Sequence, residues 1–213
     1  NEVIFKTRSL SVEERETFKD TMVDQFGVDG EKITTETISS TVSNEMKSDA
    51  IWAVVIATLC MLVYIWFRFK DIRFGASAII ALLHDVLVVI AVYALVRISV
   101  GNTFIACMLT IVGYSINATI VIFDRIRENM VLMGKKDSLE DMVNDSVSKT
   151  LSRSIFTSLT TFFMVASLYI FGVTSIREFA LPLMVGIVCG TYSSVCITGA
   201  LWYVFRTKFE KKA

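Results

Sequence analysis

The sequence predicts a membrane α-helical bundle of five transmembrane helices, preceded by a partial α+β domain. Three observations carry this. The chain is 54% hydrophobic, with a mean hydropathy of +0.59, which is too apolar for an ordinary soluble domain. Five apolar runs approach the roughly 20 residues that a helix needs to cross a bilayer. The first 48 residues lack such a run and carry polar, turn and β-branched residues instead.

In that first segment, Val3 to Thr7 is rich in strand formers and predicts a short strand. Ser11-Val-Glu-Glu has the capping-box spacing, with a serine three residues before a glutamate. It predicts a helix from Val12 to Phe26, ended by Gly27 and Gly30. Lys32 to Thr41 is dense in β-branched residues and predicts a second strand. A β-α-β fragment of this size is short to bury a core alone. The expectation is a piece of a larger domain whose first half is missing.

The character changes after Ser48. The predicted spans are Ala50 to Phe67, Phe74 to Val96, Val100 to Phe123, Ile155 to Phe171 and Phe179 to Phe205. The last is long and predicts a tilted helix. Between the third and fourth, Leu139, Met142, Val143, Val147 and Leu151 form a helical stripe. They predict an amphipathic helix over 138–151, lying at the membrane surface.

Connector charge orients the bundle. Arg68, Lys70 and Arg73 lie between spans one and two. Arg125, Arg127, Lys135, Lys136, Lys149 and Arg153 lie between spans three and four. Arg206, Lys208, Lys211 and Lys212 follow span five, in a basic tail over 206–213. The other two connectors hold only Arg97 and Arg177. The positive-inside rule makes the basic side cytoplasmic. Residues 1–48 are then extracytoplasmic, and the expected plan has one further span before them.

Several function classes fall away. Lys plus Arg equals Asp plus Glu at 21 each, and no basic stripe interleaved with aromatics occurs, so nucleic-acid binding is not expected. Cys60, Cys107, Cys189 and Cys196 all lie in apolar runs without CxxC spacing. With one histidine they predict inert thiols and no metal site. No Walker A loop is present, so no nucleotide or other cofactor is expected and the chain does not read as an enzyme. Work on a substrate would draw on an ion gradient or another subunit. No signal peptide pattern opens the chain.

Polar residues inside the spans are the candidate functional groups. A carboxylate at mid-membrane is unfavourable by roughly 2.5–3.5 kcal/mol on insertion scales, so Asp85, beside His84 in span two, must be paired, neutral or wetted. Two readings stand: a proton carrier or polar anchor, and a satisfied hydrogen-bonding pair between helices. On span three, Tyr114, Asn117, Ala118 and Val121 share a face; Asn117 hydrogen-bonds but does not titrate. Arg153, Thr157, Thr160 or Thr161, and Met164 share a face of span four. Arg153 is either a snorkelling arginine or a cation answering a titrating carboxylate. Asp124, Arg125, Arg127 and Glu128 read as an interfacial charge network. Gly186 and Gly190 form a GxxxG pair for close helix packing.

The run Gly113-Tyr-Ser-Ile-Asn, continuing through Phe123-Asp-Arg-Ile-Arg-Glu-Asn129, resembles the SecF family. So do Tyr64-Ile-Trp-Phe-Arg-Phe69, Ala81-Leu-Leu-His-Asp-Val86, Thr150-Leu-Ser-Arg-Ser154, Thr157-Ser-Leu-Thr-Thr161 and Gly186 to Ser194. The resemblance implies an accessory subunit of the Sec translocase that works with SecD near the SecYEG channel. It implies kinship with proton-driven RND exporters, a proton path between SecD and SecF, and an unfolded preprotein as substrate. It extends to YajC, a YidC-type insertase and membrane lipid as partners, in the bacterial cell membrane. Carried over by position, Asp85, Arg153 and Thr157 match family polar residues on that path. Asn117 and Thr119 flank the family's carboxylate on span three, where this chain has Ala118. Either an engineered substitution removed it, or this lineage relies on the SecD carboxylate. The alternatives are a scaffold without motor function and an RND-type exporter of lipid or small molecules.

Overall fold

The structure is a computed structural model. It describes residues 5, 7, 10–30, 33, 40–98, 100–134 and 138–210. The chain divides into two compact units, Asn1–Lys47 and Ser48–Ala213.

In the first unit, α1 (Val12–Phe26) forms where the capping box predicts it. The Glu14 N–H donates to Ser11 Oγ at 3.2 Å, and the Ser11 N–H donates to Glu14 Oε2 at 2.8 Å. At the other end Gly27 adopts φ +62°, a left-handed cap that a side chain would strain. Its N–H and that of Val28 close on the Val23 and Met22 carbonyls at 3.0 and 3.4 Å. The expected strands over 3–7 and 32–41 fall mostly outside the described residues. Where the second was expected to end, Ser40 and Thr41 instead open a helix.

The second unit is all helix among the described residues. Helix α2 (Ser40–Phe69) enters it, followed by α3 (Ile72–Val96), α4 (Asn102–Leu132) and α5 (Leu139–Phe171). The last span is composite: α6 (Thr174–Tyr192), a π-helical turn at Ser193–Thr198 and α7 (Gly199–Glu210). Among the described residues, five helical stretches are long and apolar enough to cross a membrane: Ile51–Phe69, Ile72–Val96, Thr103–Leu132, Leu139–Phe171 and Thr174–Lys208.

Two expectations are corrected and one unexpected feature is added. The 138–151 segment is not a separate surface helix. It is the first part of α5, which contains no glycine or proline to break it. Its apolar stripe is satisfied by the bundle, since Met142 and Val143 pack in one core with Ile126 and Trp202. The third span continues to Leu132, so the charged cluster after Phe123 rides on α4 and does not cap it. The fifth span carries a π turn at its middle, a feature that often marks functional sites.

Helix α6 is central and packs against α3, α4 and α5. Half of the fifth span's most apolar stretch is buried, against 6% for the first. Two apolar cores fill the bundle. Towards the basic end, Phe69, Phe74, Phe123 and Trp202 cluster with Ile65, Ile122 and Ile126. The Phe74 and Trp202 rings stack at 5.0 Å, and Phe74 meets Phe123 edge-on at 4.8 Å, geometries that add to area burial. Towards the other end, Val89, Tyr93, Met108, Ile111, Leu183 and Ile187 form the second core. Short turns join the helices. Lys70 takes φ +55° to end α2, and Asp71 caps α3 by accepting the Arg73 N–H at 2.9 Å.

Candidate functional site

Between the two cores lies a layer of polar side chains at the middle of every buried helix. Its centre is Asp85 on α3, which is 0% exposed. Asp85 Oδ2 accepts hydrogen bonds from Ser115 Oγ on α4 at 2.6 Å and from Ser193 Oγ at 2.7 Å. Oδ1 accepts from Cys189 Sγ at 3.4 Å and stands 3.1 Å from His84 Nδ1. A carboxyl group offers about four lone-pair sites, so these neighbours satisfy it. The group is therefore tolerable in a low-dielectric interior.

The π turn and Gly190 make this convergence fit. Ser193 opens the turn, and both it and Ser194 are fully buried. Ser193 binds Asp85, while Ser194 Oγ lies 3.0 Å from Thr119 Oγ1 on α4 and donates to the Ser115 carbonyl at 3.3 Å. A Cβ on Gly190 would sit 3.3 Å from Ser115 Cβ and 3.6 Å from Asp85 Oδ2. Glycine there lets α6 approach α4 and the carboxyl together. One turn earlier, a Cβ on Gly186 would sit 2.5 Å from Ile111 Cδ1, so both glycines of the pair face α4.

The layer extends to α5. Tyr114 donates to Ser158 Oγ at 2.8 Å, and Thr191 Oγ1 stands 2.6 Å from the same oxygen. Asn117, Arg153 and Thr157 are not part of this interior layer. All three are exposed on the bundle, and Ala118 is half-buried. Thr157 Oγ1 donates to the Arg153 carbonyl at 2.8 Å, and the Thr157 carbonyl accepts from Thr161 Oγ1 at 2.9 Å. No described ion pair holds the Arg153 guanidinium. The structure thus places Asp85 inside, and Asn117, Arg153 and Thr157 at exposed positions of α4 and α5.

His84, Asp85 and Cys189 bring a nitrogen, an oxygen and a sulfur within 4.8 Å of one another. The sequence did not suggest this grouping, because Cys189 is 104 positions from Asp85. His84 Nδ1 and Cys189 Sγ both lie within hydrogen-bonding distance of Asp85 Oδ1.

The expected charge network resolves into pairs, with a member the sequence reading missed. Arg68, at the end of α2, pairs with Asp124 at 2.7 Å. Arg125 pairs with Glu128 at 2.6 Å. Arg127 Nη1 donates to the Arg68 carbonyl at 2.9 Å. Ser115, Ser158, Thr191, Ser193 and Ser194 were also missed as a site. The available signal was depth, since each lies near the middle of its span, level with Asp85.

A family described as protein export membrane protein SecD/SecF, C-terminal, matches residues 18–208. The chain belongs to the SecD/SecF family. It is 41% identical to the SecF protein translocase subunit of Sebaldella termitidis over 211 residues, covering 99% of this chain and 68% of that protein. It is 38% identical to the SecDF subunit of Bacillus subtilis over 96% of this chain and 28% of that one. The crystal structure of SecDF from Thermus thermophilus, described as a translocon-associated membrane protein, aligns with TM-score 0.80 at 36% identity, covering 93% of this chain and 27% of that chain. SecF relatives from three organisms are matched over 56 to 68% of their own length. The SecD/SecF membrane bundle is therefore the fold of this multi-pass membrane protein.

Proposed function

We infer that this chain is the membrane-bundle part of a SecF-type accessory subunit of the Sec protein translocase. With SecD, it uses the proton gradient to promote preprotein export across the cytoplasmic membrane. The observation that carries this reading is the SecF relative matched across 99% of the chain. The exposed polar face supports it. Asn117, Arg153 and Thr157 lie uncovered on helices of membrane-spanning length, and polar groups facing hydrocarbon are unfavourable. Contact with a second polar bundle removes that conflict, and SecD is the partner this reading supplies. The basic ends of the spans then face the cytoplasm with the carboxyl-terminal tail, and residues 1–48 lie outside. The work comes from an ion gradient, as in RND transporters, and the chain carries no enzymatic reaction of its own. SecYEG, YajC and a YidC-type insertase are its wider neighbours in the membrane.

Ala118 favours a second reading, a scaffold that assembles SecD and the channel without moving protons itself. The pairing is tested by placing a photo-crosslinking residue at Asn117 or Thr157 in membranes that contain SecD. Capture of SecD from both positions, and not from the exposed Leu95 on α3, is expected. Capture from none of them would remove the pairing on which both readings rest.

A further inference from the structure

We propose that the basic end of the bundle holds the phosphate headgroup of an anionic phospholipid, in a cleft of about 420 Å³ lined by Phe67, Arg68, Phe69, Lys70 and Arg127. The lining has three cations and no carboxylate. Among the nearby acids, Asp124 pairs with Arg68 and Glu128 with Arg125, while Asp71, next to Lys70 in sequence, caps α3 through the Arg73 N–H and does not line the cleft. Arg127 donates to a neutral carbonyl, that of Arg68, so its charge is not cancelled by that bond. Lys70 is exposed and in no described ion pair. After Asp124 offsets Arg68, the cleft keeps two positive charges.

The cations are also pre-positioned. Arg127 is fixed by the Arg68 carbonyl and by the face of Phe69, whose ring centre is 6.0 Å from its guanidinium carbon. A guanidinium with free N–H groups and an adjacent ammonium match the oxygens of a phosphodiester.

The rim decides between a lipid and free phosphate. Phe67 is 80% exposed, Ile72 77% and Trp66 63%. Phe67 lines the cleft, and Trp66 and Ile72 flank its residues in sequence, where α2 ends and its membrane-length stretch stops at Phe69. That is the profile of an interface, with aromatic residues at headgroup depth. A phosphate ion would use the cations alone, whereas an acylated phosphate also covers Phe67, Trp66 and Ile72. Basic pockets between membrane helices bind acidic lipid headgroups by this chemistry.

The test is native mass spectrometry of the purified protein in a neutral detergent. It is titrated separately with phosphatidylglycerol, phosphatidylcholine and inorganic phosphate. Phosphatidylglycerol should remain bound where phosphatidylcholine does not, and millimolar phosphate should not displace it. Arg127→Gln and Lys70→Gln should each weaken binding roughly fivefold, the equivalent of about 1 kcal/mol per basic group at an anionic surface. Lys208→Gln, at the end of α7, should leave it unchanged. Should one variant fail to fold, the other carries the comparison. Equal retention of both lipids, no effect of either cleft variant, or an equal effect of Lys208→Gln would overturn the site. Displacement by inorganic phosphate would overturn the lipid assignment.

Discussion

Replacing Asp85 by alanine should loosen the bundle at its middle. The carboxyl group accepts bonds from Ser115, Ser193 and Cys189, which come from helices other than its own. Interhelical hydrogen bonds in membrane bundles contribute about 0.6 kcal/mol each, so losing three removes about 1.8 kcal/mol. The orphaned hydroxyls differ. Ser193 keeps the Gly190 carbonyl at 3.2 Å as an alternative acceptor. Ser115 has no other described acceptor, and leaving it unmet adds about 1 kcal/mol. The expected loss is therefore about 2–3 kcal/mol, a roughly 30- to 150-fold shift in the unfolding equilibrium. It is measured by reversible denaturation in bicelles. Asp85→Asn retains an oxygen acceptor and should lose about 1 kcal/mol. A double-mutant cycle with Ser193→Ala should show coupling between the two sites. If Asp85→Ala stays within about 0.5 kcal/mol of the parent, with no coupling to Ser193, then Asp85 does not hold the bundle together.

Other substitutions test other parts of the structure. Gly186→Ala drives a Cβ into Ile111 and should destabilise by about 1–3 kcal/mol; Ile111→Ala in the same chain should recover part of that loss, read by the same denaturation. Trp202→Ala removes a fully buried ring from its stack on Phe74 and should lose about 3–5 kcal/mol, visible as a lowered thermal midpoint in detergent. Ala118→Asp introduces a carboxyl beside Asn117 and should increase proton-dependent export if the motor reading holds. Unchanged export in vesicles would favour the scaffold.

Much of the architecture was legible because bilayer length and hydropathy act on whole segments. The five spans, the α1 capping box and the basic connectors follow from such local rules. The site was only half legible. Asp85 stood out as a carboxyl in an apolar run, but its partners did not. Hydropathy separates apolar from polar residues and does not separate a neighbouring helix from lipid, since both are apolar surroundings. The face of α4 that Tyr114, Asn117, Ala118 and Val121 share therefore gives no sign of its direction. In the structure Ser115 and Thr119 point inward and Asn117 lies outside. The 138–151 stripe was misread for a similar reason, because an amphipathic pattern fits a membrane surface and a protein core equally well. The π turn was invisible because Ser193–Thr198 carries no proline or glycine to announce it.

Preprotein export by membrane vesicles, measured with and without this protein and with the proton gradient intact or collapsed, tests the central claim most directly. Export should fall when the gradient is collapsed, and the part that depends on the gradient should shrink when the protein is absent. Export that responds to neither change would contradict a role in gradient-driven translocation.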